Sequence, residues 1–478
     1  MEYNMKKPGI FISAIPVIIL IIIIFTGVKL FDVDVTEGPI QVALLFTAVF
    51  TSIVAMSYLK VPWEELENGI INHLSKTGSS IFILLMIGAV TGSWMLSGVV
   101  PSMIYYGLKI INPQIFLLVS FLITSMVSLM IGSSWTTIGT IGLAMLSAGK
   151  ILGYPAPWLA GAIISGAYFG DKISPLSDTT NLAASVAGVN LYVHVKYMLI
   201  TSIPAFILSA IFFTISGFLI PVDRSIDVQS QLSNLSELFY ISPLLLLVPI
   251  FTIVLIIKKV SPFITLFLSA LLGAIVACIA QPDICMQISP EGISKFMGYV
   301  YASIKMLSGS VTLETGDVML NTLTATNGMA GMLNTIWIIL CVVTFGGVME
   351  ASRMIQTITE KMMAFVKNTF ALVSSTSLTS IFFNMTLCDQ YMAILLPGKM
   401  FSETYRKMGY EPRLLSRTLE DTATVTSVLV PWNTCGVVQS GVLGITTLAY
   451  LPYCFFNLIS PVITIFVSSI GYKIYRKT

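Results

Sequence analysis

The chain has 478 residues, of which 55% are hydrophobic and only 10% charged, with a formal net charge of +2. Soluble domains carry about 25% charged residues, so this composition excludes an ordinary soluble globular protein. The near balance of charge is uninformative in itself, and where the charges fall tells more than their sum; no nucleic-acid partner is expected.

Apolar runs recur along the whole length, at 10–28, 40–58, 79–96, 115–131, 197–221, 240–257, 262–280, 335–348 and 452–470. Most reach the roughly 17–25 residues that cross a bilayer as a helix. Lys6 and Lys7 ahead of the first run imitate a signal peptide. That run is long enough to span, however, and no Ala-x-Ala site follows it, so it reads as a retained transmembrane helix. The six cysteines show no metal-ligand spacing and read as small apolar residues. His73 and His194 are too far apart to suggest a ligand pair and read as polar groups snorkelling at an interface. No Walker loop, Gly-x-Ser-x-Gly elbow or zinc-type histidine pair is present, so neither an enzyme nor a cofactor is expected.

The first polar interruption falls at 170–181. It sets Asp171, Lys172, Ser174, Ser177, Asp178, Thr179, Thr180 and Asn181 between lipid-like segments. A charged side chain at membrane depth costs about 2.5–3.5 kcal/mol, so two carboxylates there signal function. Pro175 breaks a continuous helix and frees the carbonyl of Asp171, and hard cations favour such clusters of oxygen.

Shifting the chain by 255 residues superposes Ile81 on Ile336, Gly92 on Gly347, Ser97 on Ser352 and Thr124-Ser125 on Thr379-Ser380. One further residue of shift (431 − 175 = 256) brings Pro175 onto Pro431. Paired interruptions at corresponding positions of two halves are the best sequence pointer to a transporter site. Lys6-Lys7, Lys258-Lys259, the cluster Lys399/Arg406/Lys407/Arg413/Arg417 and the tail Lys473/Arg476/Lys477 mark cytoplasmic loops. The weakly basic stretches 32–37, 223–237 and 283–317 fit the outside. These assignments require an odd number of crossings in the first half and hence opposite topology in the second. The loop at 60–76 is placed inside despite Glu64, Glu65 and Glu67.

In the second half, Asn384 and Asp389 interrupt an apolar frame. Glu420, Asp421, Thr422 and Thr426 then precede Pro431-Trp432-Asn433-Thr434. Thr422 and Thr426 share a helix face with Asp421 nearby. Capping of a helix start behind Arg413–Arg417 is the alternative role for Glu420 and, less so, for Asp421, while Glu350 with Arg353 reads as an intrahelical pair. The chain is therefore predicted to be an all-α polytopic membrane protein with two inverted-topology repeats, broken helices and re-entrant hairpins. A single transmembrane domain fills 1–478, with a first repeat at 1–222 and a second at 238–478.

Residues 166–182 (GAYFGDKISPLSDTTNL) closely resemble the signature of the NhaC-type sodium/proton antiporters. LSRTLED at 415–421, PWNTCG at 431–436 and FFNLISP at 455–461 resemble the same family's C-terminal motifs. The resemblance spans nearly the whole chain. It implies an ion-transporter fold in the cell membrane and Na⁺/H⁺ exchange by alternating access. It also leaves open an alternative, because the family includes exchangers of organic acids such as malate and lactate.

Carboxylates near mid-bilayer would bind Na⁺ when ionised and H⁺ when not. Asp178 or Asp421 is expected to titrate, with Asp171 held beside Lys172 as an ion-paired scaffold. Asp178, Asp421 and Asn433 are the expected Na⁺ ligands. Ser174, Ser177, Thr180, Asn181, Asn384, Asp389, Thr426 and Thr434 complete the expected site. The lipid bilayer, Na⁺ and H⁺ are the expected partners, small carboxylates under the alternative; a homodimer is compatible with all of this. Both termini are expected in the cytoplasm.

Overall fold

The structure, a computed structural model, describes residues 6–31, 38–110, 112–220, 228–313, 321, 324–363, 366 and 368–476. The stretches 32–37, 223–237 and 283–317, expected outside, lie wholly or partly beyond those residues. Seven described helices are long and apolar enough to span a membrane: Ile10–Phe31, Pro39–Ser57, Trp63–Leu96, Pro113–Ile131, Leu191–Leu219, Pro262–Ala280 and Met329–Ala351. Two bent pairs raise the number to nine, Leu232–Leu238 with Pro243–Ile257 at 85° and Thr434–Leu443 with Thr447–Tyr453 at 89°. The run at 240–257, read as one span, is thus the second arm of a bent pair. Its helix starts anew at Ser242, whose side chain accepts from Leu244 N ahead of Pro243. No strand occurs among the described residues.

Two helical hairpins enter the bundle. In the first, Phe116–Ile131 runs to a break at Gly132, in the left-handed region at φ +72°, and Ser133 caps the return. The returning arm is continuous through Ser134–Thr137, a π-helical turn at Ile138–Gly142, and Leu143–Ile151. Its far end comes back beside its start: Tyr154 Oη donates to Pro113 O at 2.8 Å. The break needs glycine both for its φ and for space, because a Cβ on Gly132 would lie 2.6 Å from the Leu176 backbone. The second hairpin pairs Thr369–Thr386 with Gln390–Lys407. Its open end is closed by Tyr405 Oη donating to Thr376 Oγ1 at 3.2 Å and by contact of Thr369 with Tyr410.

Each hairpin leads into a broken helix. Ala156–Ile173 resumes as Asp178–Ala187, and Pro412–Leu419, continued by a π turn at Glu420–Thr424, resumes as Thr434–Leu443. Matching features recur at the spacing already seen for the two prolines. Asn112 and Asn368 cap the hairpins, while Gly132 and Cys388 take left-handed φ at the tips. Ser133 and Asp389 cap the returning arms. Ser177 and Asn433 precede the resumed helices, which end on left-handed Gly188 and Gly444.

The hairpins are inserted from opposite faces. The second broken helix starts beside the open end of the second hairpin, and its far end, at Gly444, lines a cavity with Lys150 at the open end of the first. The fold is therefore two inverted repeats with broken helices and re-entrant hairpins. Both described chain ends lie on the face that carries the root of the second hairpin. Glu411 N donates to Tyr475 O at 3.1 Å, Lys6 N to Leu59 O at 3.0 Å, and Lys7 pairs with Glu360 at 2.6 Å.

Outside the hairpins, Trp63–Leu96 is about 51 Å long at 1.5 Å per residue and crosses Leu333–Ala351 at glycines. A Cβ on Gly69 would stand 2.7 Å from Gly347 O, so small residues set this close approach. The crossing brings His73 against Glu350. Glu350 therefore pairs between helices and not with Arg353, which sits past the helix end at φ +59°. The two histidines do not snorkel. His73 is buried in that pair, and His194 is fully buried with neither ring nitrogen hydrogen-bonded. Cys278 and Cys285 are free thiols.

Candidate ion site at the two breaks

At the first break, the tip of the first hairpin closes on Asp171. Its carboxylate accepts from Ser134 N at 3.0 Å and from Ser134 Oγ at 2.7 Å, and it is buried. The backbone freed by Pro175 is satisfied locally. Asp171 O accepts from Ser174 N at 3.1 Å, and Thr180 Oγ1 donates to Lys172 O at 2.9 Å. Asn181 Nδ2 donates to Ser177 O at 2.7 Å and to Pro175 O at 3.1 Å. Ser174 Oγ donates to Leu129 O at 2.8 Å, binding the break to the hairpin, and Ser177 Oγ meets Thr179 Oγ1 at 3.0 Å. Most of the polar residues expected to offer oxygens to a cation are thus already engaged with the backbone. Asp178 is different. It is exposed, and its side chain has no hydrogen bond or ion pair among the described residues.

Lys172 does not pair with its neighbour Asp171. Its ammonium crosses to the second repeat, pairing with Asp421 and donating to Ser460 Oγ at 2.9 Å. Adjacent residues on a helix point in different directions, so Asp171 turns to the hairpin tip while Lys172 faces the other broken helix. Arg417, one turn before Asp421 (Nε to Oδ2, 3.9 Å), is also fully buried and lies over the Tyr197 ring at 4.7 Å. It is a core residue, not one of the loop charges among which the sequence pattern groups it. Asp421 therefore faces two cations. Glu420, for which a helix cap was the alternative role, lies fully buried in the π turn, and neither carboxylate oxygen has a hydrogen-bond partner among the described residues. Asp171, Lys172 and Asp421 are the charged groups around it.

The second break is closed by amides. Asn384 Nδ2 donates to Ala423 O at 2.7 Å and to Thr426 Oγ1 at 3.0 Å. Asn433 Nδ2 donates to Asn384 O at 3.0 Å, and Asn433 Oδ1 caps Cys435 N at 3.0 Å. Thr434 N donates to Cys388 O at 2.9 Å, and Asp389 caps the returning arm by accepting from Met392 N at 2.9 Å. Gln390 Oε1 accepts from Ser427 Oγ at 3.0 Å, joining tip to helix.

The structure thus brings Asn384, Thr426, Asn433 and Thr434 together, and Lys172 against Asp421, while Asp171 turns to the hairpin tip. Among the described residues, no hydrogen bond or ion pair joins Asp178, Asp421 and Asn433 directly. Ser134, Gln390 and Ser460 belong to these networks and were not singled out by sequence, and Arg417 was read there only as a loop charge. The four-residue spacing of Arg417 and Asp421 was the available signal.

A cavity of about 690 Å³ opens between Trp63–Leu96, the returning arm of the first hairpin, the 325–332 segment and the end of Thr434–Leu443. Lys150 is its one charged lining residue among those described.

The Na⁺/H⁺ antiporter family pattern matches residues 166–472. The chain is 34% identical to the Na⁺/H⁺ antiporter NhaC of Alkalihalophilus pseudofirmus over 98% of its own length and 96% of that protein. It is 34% identical to the malate-2H⁺/Na⁺-lactate antiporter of Bacillus subtilis, covering 93% and 92% of the two chains. To the arginine/ornithine antiporter ArcD of Halobacterium salinarum it is 32% identical, covering 99% and 94%.

Proposed function

This chain belongs to the Na⁺/H⁺ antiporter family, and we propose on that footing that it exchanges Na⁺ for H⁺ across the cytoplasmic membrane by alternating access. The observation that carries this reading is the burial of Asp171, Glu420 and Asp421 where two oppositely inserted repeats meet. Asp421 is neutralised by Lys172 and Arg417 and locks the repeats together. Asp178, exposed beside the break, receives the ion. Asp171 and Glu420 hold it, because an ionised carboxylate stabilises Na⁺ and a protonated one does not. The first repeat covers 1–222 and the second 238–478. Purified protein in liposomes tests the reading: Na⁺ should dissipate an imposed ΔpH without any organic acid present. Dissipation that appears only with malate or lactate would favour the other cargo.

A second reading, coupled exchange of a small carboxylate, is favoured by the 690 Å³ cavity, far larger than a sodium ion needs.

Both termini face the cytoplasm in this account, on the face where Arg406, Lys407 and Arg413 gather at the open end of the second hairpin. A single cysteine at 407 in a cysteine-free background should resist a membrane-impermeant thiol reagent added outside. Labelling from outside would reverse the orientation.

A further inference from the structure

We infer that the cavity beside Lys150 is a seat for a small organic carboxylate; this rests on the family reading and gives its second cargo a location. The volume of about 690 Å³ lies within the roughly 300–1,000 Å³ typical of small-molecule sites. Cation routes are lined by acidic side chains or rings of carbonyls. This wall has no acidic residue among those described, and Lys150 has no hydrogen bond or ion pair with any described residue. An ammonium with no counter-charge among the described residues, at the edge of an apolar cavity, attracts an anion, and Trp94, Leu146 and Val442 offer a surface to its carbon chain.

The charge of the wall also selects among cargo classes. An amino acid needs an acidic partner for its ammonium, and the wall offers none among the described residues, so a carboxylic acid fits these where a cationic amino acid does not. Lys150 lies near one end of the returning arm of the first hairpin, and Ser134, which holds Asp171, lies at the other. The two are about 24 Å apart along the helix at 1.5 Å per residue. One arm thus carries both the anion seat and the clamp on the cation carboxylate.

Equilibrium binding of labelled malate, lactate and arginine to the purified full chain tests the inference, with Na⁺-driven proton movement of the same preparation measured in liposomes. Saturable binding of malate or lactate but not arginine is expected, weakened at least tenfold by Lys150→Gln and retained by Lys150→Arg. Filling the cavity with Ser147→Phe should remove it, and if that variant fails to fold, the two Lys150 variants decide. An absence of carboxylate binding, or binding indifferent to Lys150→Gln, overturns the inference. If proton movement persists in that case, the exchanger reading stands. Carboxylate binding without any Na⁺-driven proton movement would uphold the seat and sink the exchanger reading instead.

Discussion

Lys172→Gln is expected to destabilise the purified protein strongly and to abolish exchange. Lys172 and Asp421 are both fully buried, and their contact joins the two broken helices. Removing one partner of a buried pair costs about 3–5 kcal/mol, because the other charge is left without compensation. That is a large part of the roughly 5–15 kcal/mol that holds a folded protein together. Asp421→Asn should do the same from the other side, since it leaves Lys172 and Arg417 buried without a carboxylate. A change that preserves shape at Asp421 is therefore not innocuous, as it would be at a solvent-exposed carboxylate. The double variant Lys172→Gln/Asp421→Asn removes both charges and should recover part of the melting temperature while remaining inactive. An unchanged melting temperature for Lys172→Gln would show that the pair does not lock the repeats.

Asp171→Asn should behave in the opposite way, folding almost normally and losing Na⁺-driven proton movement. The amide oxygen still accepts from Ser134 N and Oγ, so the hairpin tip keeps its anchor. What disappears is the charge that Na⁺ requires and the group that the competing proton occupies. Ser134→Ala removes one of the two hydrogen bonds to Asp171 and should weaken apparent Na⁺ affinity without abolishing exchange. Asp178→Asn is expected to lose exchange as well, and its exposure makes a folding defect an unsuitable explanation. If Asp171→Asn and Asp178→Asn both exchanged normally in liposomes, the first break would carry no transported ion.

Much of this architecture was readable from sequence because its signals are local. Apolar runs fix where spans lie, and Pro175 and Pro431 break their helices wherever they occur. The recurrence of the runs at a shift of 255 and of the prolines one residue further exposed the duplication, which the caps at Ser133 and Asp389 and the glycines at 188 and 444 then bear out. The partners of buried charges were not readable. Lys172 next to Asp171 looks like a pair, yet successive helical positions diverge and its true partner lies in the other repeat. Arg417 follows Arg406, Lys407 and Arg413 and is indistinguishable by type from a loop cation, although it is fully buried. Glu350 had Arg353 three residues away, but the helix ends between them and the glycine crossing supplies His73 instead. Periodicity places a residue on its own helix and is silent on which helix packs against it.

Under Na⁺/H⁺ exchange at the breaks, the two ions compete for the same buried carboxylates. The most direct measurement is the apparent Na⁺ affinity of exchange in liposomes across a series of pH values. Competition predicts that, on the acid side, the half-saturating Na⁺ concentration rises about tenfold per pH unit for each proton displaced, with the maximal rate recovered at high Na⁺. A half-saturating concentration that stays constant while only the maximal rate changes with pH would contradict a shared site.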